Sequence, residues 1–297
     1  MICPYCHENV PDSLDSCPTC GLDLSEYRDA QFLCPVCGTE MRRFHDRCPK
    51  CNIERDRLKK LTAFPNLSAQ DKTTLSKFEY SQENGKVTLL RHEYRWSQEV
   101  VLPENVVRIG ENCFEGGEGY CRSIKFNRGL REIGKHAFIG NDNITVIELP
   151  DTVEKIEEEA FSECPRLARI TVPSAKEIGK RAFSGSEDLS VVIFGQGVKA
   201  IPDNAFEGCE SLLEIKFGGV EEVGSYAFKG CSDLTMIVLP DTIKRMGSHV
   251  FEECKDLSVI HCIAPSKPAG WAEDWCDTSL SCSPRIVWNS DWESYRR

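Results

Sequence analysis

The chain has 297 residues and is 40% apolar and 28% charged, a composition typical of a globular protein. Its formal net charge of −11 disfavours the attraction to phosphate on which most nucleic-acid binding depends. Apolar runs such as residues 191–194 are too short to cross a bilayer, so no membrane partner is expected. The N-terminus, MICPYC, lacks a basic segment followed by an apolar one, and a cytoplasmic protein is therefore expected.

Eight of the seventeen cysteines form two quartets near the N-terminus, each spaced C-x2-C-x10-C-x2-C. The first quartet is Cys3, Cys6, Cys17 and Cys20, and the second is Cys34, Cys37, Cys48 and Cys51. Two C-x2-C pairs can turn four thiolates toward one point, which matches a closed tetrahedral zinc site. Because four sulfurs leave no coordination position for substrate or water, we expect a structural metal rather than a catalytic one.

The residues around the cysteines favour tight turns. A proline follows the first cysteine of each pair, and Gly21, Gly38 and Asn52 stand after three of the pairs, where the backbone needs a left-handed conformation. A rubredoxin-like iron site and a pair of disulfides are the alternatives to zinc. His7 and His45 are expected to be bystanders.

These quartets resemble the double zinc ribbon family, over about residues 1–55. The resemblance implies ribbons at residues 1–29 and 30–55, two structural Zn²⁺ ions, and a role in recognition or tethering. Residues 1–60 hold nine Lys and Arg against ten Asp and Glu, so they form no strongly basic surface. Arg42, Arg43 and Arg47 are expected to lie on a solvated loop.

Two segments lie between the ribbons and residue 103, and they are expected to form a linker and a cap for the repeat. Residues 56–76 are polar, and we predict a linker that begins with a helical turn through Leu58 and Leu61. Residues 77–102 contain Asn84-Gly85 between two strand-like runs. This pattern predicts a hairpin that covers the open first coil of the repeat in residues 103–263.

Residues 103–263 repeat seven times with a period of 22 to 24 residues. A phenylalanine marks each unit: Phe114, Phe138, Phe161, Phe183, Phe206, Phe228 and Phe251. The residue before it is small, usually alanine, and the positions eight and five before it and six after it are apolar in nearly every unit. One such unit buries too little surface alone, so the pattern predicts coils that stack into a solenoid.

Each unit contains one β-branched segment, such as 167–173, which predicts one short strand per coil, paired in parallel with the next. The segment before the phenylalanine is expected to form the turn on the opposite wall. The units resemble the BspA-like leucine-rich repeat, whose pattern reads V-x-x-I-G-x-x-A-F-x-x-C-x-x-L-x-x-I-x-L/V-P. Glu157 and Pro202 replace its glycine, which puts the local turn geometry in question. Members with secretion signals act as surface adhesins.

Residues 264–297 are expected to cap the far end. All five tryptophans lie in the two flanks of the repeat, where large rings can cover an exposed stack end: Trp96, Trp271, Trp275, Trp288 and Trp292. Four histidines occupy repeat or flank positions expected to face solvent: His92, His136, His249 and His261. Cysteines three residues after the phenylalanine are expected to be small buried residues that donate to a carbonyl: Cys164, Cys209, Cys231 and Cys254.

Strand residues eight and ten after each phenylalanine are expected to face outward. In coils four to six these are Val191, Ile193, Glu214, Lys216, Met236 and Val238. Apolar residues rimmed by charge mark a partner site, which predicts a protein-binding surface. Alternatively, strands simply favour β-branched residues on either face.

No phosphate-binding loop, nucleophile motif or catalytic carboxylate set occurs in the sequence, so no enzyme is expected. The function predicted is an interaction scaffold with a protein partner. The alternatives are a nucleic-acid-associated regulator that acts through the ribbons and an exported adhesin that uses the repeats.

Overall fold

The structure is a computed structural model that describes residues 5–6, 8–11, 14, 16–24, 32–41, 46–92, 99–116, 121–276 and 283–291. The chain divides into two compact units, Met1–Ser76 and Lys77–Arg297. Within the described residues, no helix has the length and apolar character needed to span a bilayer.

The first unit is built from small turns that carry the cysteines. Strands β1 (Phe32–Leu33) and β2 (Glu40–Met41) pair antiparallel around one turn. Single bridges, Ser16–Asp23 and Arg47–Glu54, close two others. Val10, Cys17 and Leu24 form a small buried cluster in the first ribbon. So little apolar surface cannot hold such modules folded without a further stabilising element.

The segment predicted as a linker differs from that prediction, because it forms two short helices. These are α1 (Arg55–Leu61) and α2 (Ala69–Leu75). Leu58, Leu61 and Leu75 are fully buried. Ser68 caps α2 by accepting a hydrogen bond from the Asp71 N–H at 3.0 Å. The helical turn through Leu58 and Leu61 was predicted, whereas α2 was not.

The second unit begins with the predicted hairpin, β3 (Phe78–Glu83) and β4 (Lys86–His92). Asn84 (φ 51°) and Gly85 (φ 76°) both adopt left-handed conformations, as a two-residue type I′ turn requires. Strand β4 pairs in parallel with the first strand of the repeat. The hairpin therefore covers the open first coil, as the sequence indicated.

The repeat forms a solenoid of about eight turns, and each coil places one short strand on each of two opposite walls. The wall formed by the strands that the sequence predicted is termed the strand wall, and the other is termed the opposite wall. The strand wall contains β5 (Glu99–Val101), β7 (Ser123–Lys125), β9 (Val146–Glu148), β11 (Arg169–Val172), β13 (Val191–Phe194), β15 (Glu214–Lys216), β17 (Met236–Leu239), β19 (Val259–Cys262) and β21 (Arg285–Val287). The opposite wall contains β6 (Val106–Ile109), β8 (Glu132–Ile133), β10 (Lys155–Ile156), β12 (Glu177–Ile178), β14 (Ala200–Ile201), β16 (Glu222–Val223), β18 (Arg245–Met246) and β20 (Gly270–Trp271).

The strand wall confirms the predicted parallel pairing, for example of β11 with β13. The opposite wall was predicted as a turn, but it carries a second ladder of short parallel strands, such as Ile133 beside Ile156. Each coil thus contains two strands rather than one. The second strand was missed because two residues are too few to show an alternating pattern.

The phenylalanines form a continuous column through the core. From Phe114 to Phe251, successive rings lie face to face with centroids 4.8–5.9 Å apart and planes within 3–11° of parallel. The six from Phe138 onward are fully buried. The small residue before each ring leaves room for close backbone approach, and the Phe206 N–H donates to the Ala227 carbonyl at 2.8 Å.

A left-handed residue turns the chain two positions before each phenylalanine. These residues are Asn112, His136, Glu159, Arg181, Asn204, Tyr226 and His249, with φ between 53° and 58°. Left-handed backbone costs most residues about 1 kcal/mol, and asparagine less. The sequence did not reveal this column, because its members share no chemistry.

Pro202 interrupts the opposite wall. In regular coils the residue after the short strand donates its N–H to the preceding coil, as Gly179 does to the Ile156 carbonyl at 2.8 Å. Glu157 preserves this bond, donating to the Ile133 carbonyl at 2.9 Å. Proline has no N–H to donate, and the ladder breaks there between β12 and β14. Of the two departures from the family pattern, only the proline changes the turn.

Aromatic rings cover both ends of the phenylalanine column. Phe78 contacts Phe114 edge-on and His92 stacks on it, both with centroids 5.6 Å away. At the other end Trp275 meets Phe251 edge-on at 6.1 Å, and Trp271 packs against Trp275. The capping role of these two tryptophans is as predicted. Trp96 and Trp292 lie outside the described residues.

The prediction that the four histidines face solvent was wrong for two of them. The ring of His92 packs between aromatic neighbours, and its Nε2 has no hydrogen-bond partner among the described residues. His261 is buried, and its Nδ1 lies 2.9 Å from the Ser290 hydroxyl in the C-terminal cap. Both residues are covered by flanking segments whose position no repeat pattern specifies.

Candidate metal centres and partner surface

The second quartet brings its four sulfurs together. Cys34, Cys37, Cys48 and Cys51 place their sulfurs within 4.8 Å of one another. The Cys34–Cys51 and Cys37–Cys48 sulfur pairs are 3.6 and 3.5 Å apart. A tetrahedral site with Zn–S bonds of about 2.3 Å has edges of about 3.8 Å, so this arrangement fits a zinc ion.

In the first quartet, the sulfurs of Cys6, Cys17 and Cys20 cluster in the same way, with Cys6 and Cys17 at 3.5 Å. Cys3, the fourth predicted ligand, lies outside the described residues, as do His7, His45, Arg42 and Arg43. The guanidinium of Arg47 forms an ion pair with Glu54 and donates to the Asn52 carbonyl at 3.1 Å.

The same backbone turn occurs at three of the C-x2-C pairs and orients their thiolates toward the candidate metal position. Gly21, Gly38 and Asn52 are left-handed, with φ of 71°, 71° and 57°, as predicted. Each donates its N–H to the carbonyl of the first cysteine in its pair at 2.8–2.9 Å. Because asparagine tolerates φ > 0, the third turn keeps the geometry of the two glycine turns.

The electrostatics of the second quartet favour a bound cation. Burial disfavours the thiolate of Cys37, but the hydroxyl and backbone N–H of Thr39 stabilise it and lower its pKa to about 6. Burial and the neighbouring Cys48 and Cys34 raise the pKa of Cys51 to about 12. Four clustered thiolates repel one another, and a divalent metal ion offsets that repulsion.

The cysteines of the repeat have a structural role, as predicted. Each donates its S–H to the carbonyl of a phenylalanine in the preceding coil: Cys164 to Phe138, Cys209 to Phe183, Cys231 to Phe206 and Cys254 to Phe228, at 3.1–3.3 Å. Ser186 makes the same bond to Phe161 at 2.9 Å. Burial raises the pKa of Cys164 to about 12, so its thiol stays protonated and unreactive.

The strand wall presents the predicted partner residues outward. Val192 and Ile237 point into the core, whereas Val191, Ile193 and Val238 are half-buried and Met236 is 37% exposed. Glu214 and Lys216 are exposed between them and form an ion pair at 3.3 Å. We term the surface formed by these six outward residues the strand face: Val191, Ile193, Glu214, Lys216, Met236 and Val238.

Two features of this surface were missed at the sequence level. Leu213 is 59% exposed beside Met236, at a position where the neighbouring coils have Ser190 and Thr235. A groove of about 560 Å³ lies over β15 and β17 and is lined by both Leu213 and Met236. The leucine could have been found as the one large apolar side chain among its equivalents, whereas the groove depends on coil spacing.

Comparison with known families identifies both parts of the chain. A model described as BspA type Leucine rich repeat region matches six copies over residues 93–212 and 176–266. The chain belongs to the BspA-type leucine-rich repeat family. A model of the double zinc ribbon matches residues 3–57. Comparison with curated proteins gave no match.

Solved structures of other leucine-rich repeat proteins resemble the solenoid. A leucine rich cell surface protein from Faecalibacterium prausnitzii is 25% identical with a TM-score of 0.56, over 67% of this chain and 55% of its own. This chain therefore spans about half the length of that relative. A leucine-rich repeat protein from T. pallidum is 28% identical with a TM-score of 0.43, over 58% of this chain and 96% of its own.

Proposed function

We propose that the protein is a non-catalytic scaffold that binds a protein partner through the strand face and carries two zinc-stapled ribbons as a second recognition module. The observation that carries this proposal is the apolar character of outward positions on a solvated sheet. Met236 and Leu213 are exposed there, and Val191 and Ile193 are half-buried beside them. Exposed apolar patches of this kind are typical of binding surfaces.

Both ribbons are proposed to hold one Zn²⁺ each, with four cysteines as ligands. The three clustered sulfurs of the first quartet and the four of the second support this assignment. The ions would fix the turns that carry the cysteines and would supply no chemistry to a substrate, since all four coordination positions are filled.

We place the protein in the cytoplasm, where a reducing environment keeps the thiolates available for metal. A second location is favoured by one observation, because the Faecalibacterium relative is described as a cell surface protein. Fractionation of the native host, followed by detection of the chain, separates the two. Recovery with the cell envelope or medium would favour surface display.

The binding proposal is tested with a triple variant, Val191→Lys, Ile193→Lys and Met236→Lys, immobilised in parallel with the unaltered chain. We expect the variant to lose a partner that the unaltered chain captures from the host, with its melting temperature nearly unchanged. Val146→Lys is the matched control, because Val146 faces outward in coil two and is 45% exposed. Equal capture by the triple variant would refute the strand face as the binding surface.

A further inference from the structure

The strand wall has two interruptions among the described strands, one between β7 and β9 and one between β15 and β17, in coils five and six. The second lies beneath the groove formed by Leu213 and Met236. Strand β15 pairs only with β13 among the described strands, and β17 pairs only with β19. One coil pair earlier, the Glu214 N–H donates to the Ser190 carbonyl at 3.0 Å, but the equivalent bond from Met236 to Leu213 does not form. Across these described residues, β15 and β17 therefore each have an edge with no strand beside it.

The gap is confined to one side of the solenoid. On the opposite wall β16 still pairs with β18, and Phe206, Phe228 and Phe251 remain stacked at 5.5–5.6 Å. Coil five remains paired with coil four through β13 and β15, and coil six remains paired with coil seven through β17 and β19. The core stays closed while the strand wall is unpaired between coils five and six.

The groove combines apolar residues with the Glu214–Lys216 ion pair, which also lines it. The groove of about 560 Å³ is lined by Leu213, Ile215, Met236 and Val238. An open strand edge offers backbone donors and acceptors to any chain in an extended conformation, and proteins normally cover such edges. Backbone pairing together with apolar contacts is the pattern by which extended peptides bind to sheet edges.

A line of mainly acidic residues, termed the acidic line, lies on the turns that precede β13, β15, β17 and β19. Glu187, Asp188, Glu210, Asp233 and Asp256 are all exposed, and the one lysine among them, Lys255, is exposed next to Asp256. Backbone hydrogen bonds join their positions from coil to coil, as from the Asp233 N–H to the Glu210 carbonyl at 2.9 Å. Glu210 and Asp233 lie three residues before Leu213 and Met236, within about 10 Å along the chain.

We propose that this groove binds an extended, basic segment of a partner protein. Its backbone pairs with the open edges of β15 and β17, alternate apolar side chains contact Leu213 and Met236, and its lysines or arginines face the acidic line. The proposal rests on the proposed function and specifies the chemistry of the partner. The acidic line disfavours nucleic acid as an occupant, because its phosphates would be repelled.

The test uses the full chain and a blocked ten-residue peptide of alternating Lys and Val, with binding measured by calorimetry at low and high salt. We expect Met236→Lys to weaken binding at least tenfold. The control Thr171→Lys, on strand β11 whose two edges are both paired, should change it less than twofold. The double change Glu210→Gln and Asp233→Asn should weaken binding and reduce its salt dependence. A peptide with all of its backbone nitrogens methylated should not bind, because its donors toward both strands are removed.

Several results would overturn the proposal: no binding of the Lys-Val peptide, equal binding of a Glu-Val peptide or of the methylated peptide, or an unchanged affinity of Met236→Lys. Leu213→Lys serves as a second variant should Met236→Lys lower the melting temperature. Concentration-dependent dimerisation lost in Met236→Lys would assign the groove to a second copy of the chain. Loss of capture by the triple variant without any peptide binding would refute this inference and leave the proposed function standing.

Discussion

Phe206→Ala tests the energetic role of the phenylalanine column. The Phe206 ring is fully buried, with Phe183 and Phe228 stacked on its faces at 5.1 and 5.5 Å and Phe194 tilted against it at 6.1 Å. Truncation leaves a cavity of about 100 Å³, which at about 24 cal/mol per Å³ costs about 2.4 kcal/mol. The lost transfer free energy and two aromatic pairs bring the expected destabilisation to about 3–5 kcal/mol.

Urea unfolding followed by tryptophan fluorescence measures this effect, since Trp271 and Trp275 are buried at the end of the same column. Phe206→Leu is the control, because it keeps most of the apolar volume and should lose less than half as much. A loss below about 1 kcal/mol for Phe206→Ala would show that the coils are not held together by the column.

Individual residues give three more predictions. Burial, and then the charge of Lys77, lower the pKa of His92 to about 4 in the folded state. The unfolded state therefore binds the proton at a higher pH than the folded state does. The free energy of unfolding should be constant above about pH 6.5 and fall by about 2–3 kcal/mol toward pH 4. His92→Phe should remove this part of the pH dependence in parallel thermal melts. Asn112→Val should cost about 1–2 kcal/mol in urea unfolding and Asn112→Gly less than about 0.5, because only valine opposes φ of 55°. Cys48→Ser should reduce zinc from two ions per chain to one by elemental analysis, and iron in place of zinc would contradict the assignment.

Much of the fold could be predicted because the spacing of the apolar residues in the repeat determines the coil geometry. Fixed spacing of Phe, Ala and Ile identifies the inward column, the coil length and the parallel stacking without any knowledge of contacts. The left-handed residue two positions before each phenylalanine could not be predicted from the sequence, since Glu159, Arg181 and Tyr226 share only a backbone conformation. Likewise, the positions of the half-buried His92 and the buried His261 depend on flanks that have no repeat.

The candidate sites also contain features that the sequence predicts and one that it does not. Ligand spacing predicted the candidate metal cysteines, because tetrahedral coordination restricts which residues and separations work, and the structure clusters the sulfurs of seven of them. The outward residues could be assigned from strand alternation, but the open edges of β15 and β17 could not. That gap appears only in the hydrogen bonds between coils five and six, and no residue pattern in the repeat specifies it.

The most direct test of the account places a photo-crosslinking amino acid at position 236 on the strand face and, separately, at position 177 on the opposite wall. The account predicts that illumination of host cells joins another protein to the chain from position 236 and not from position 177. Crosslinks from position 177 alone, or none from position 236 in cells where the unaltered chain captures a partner, would contradict a scaffold that binds through its strand face.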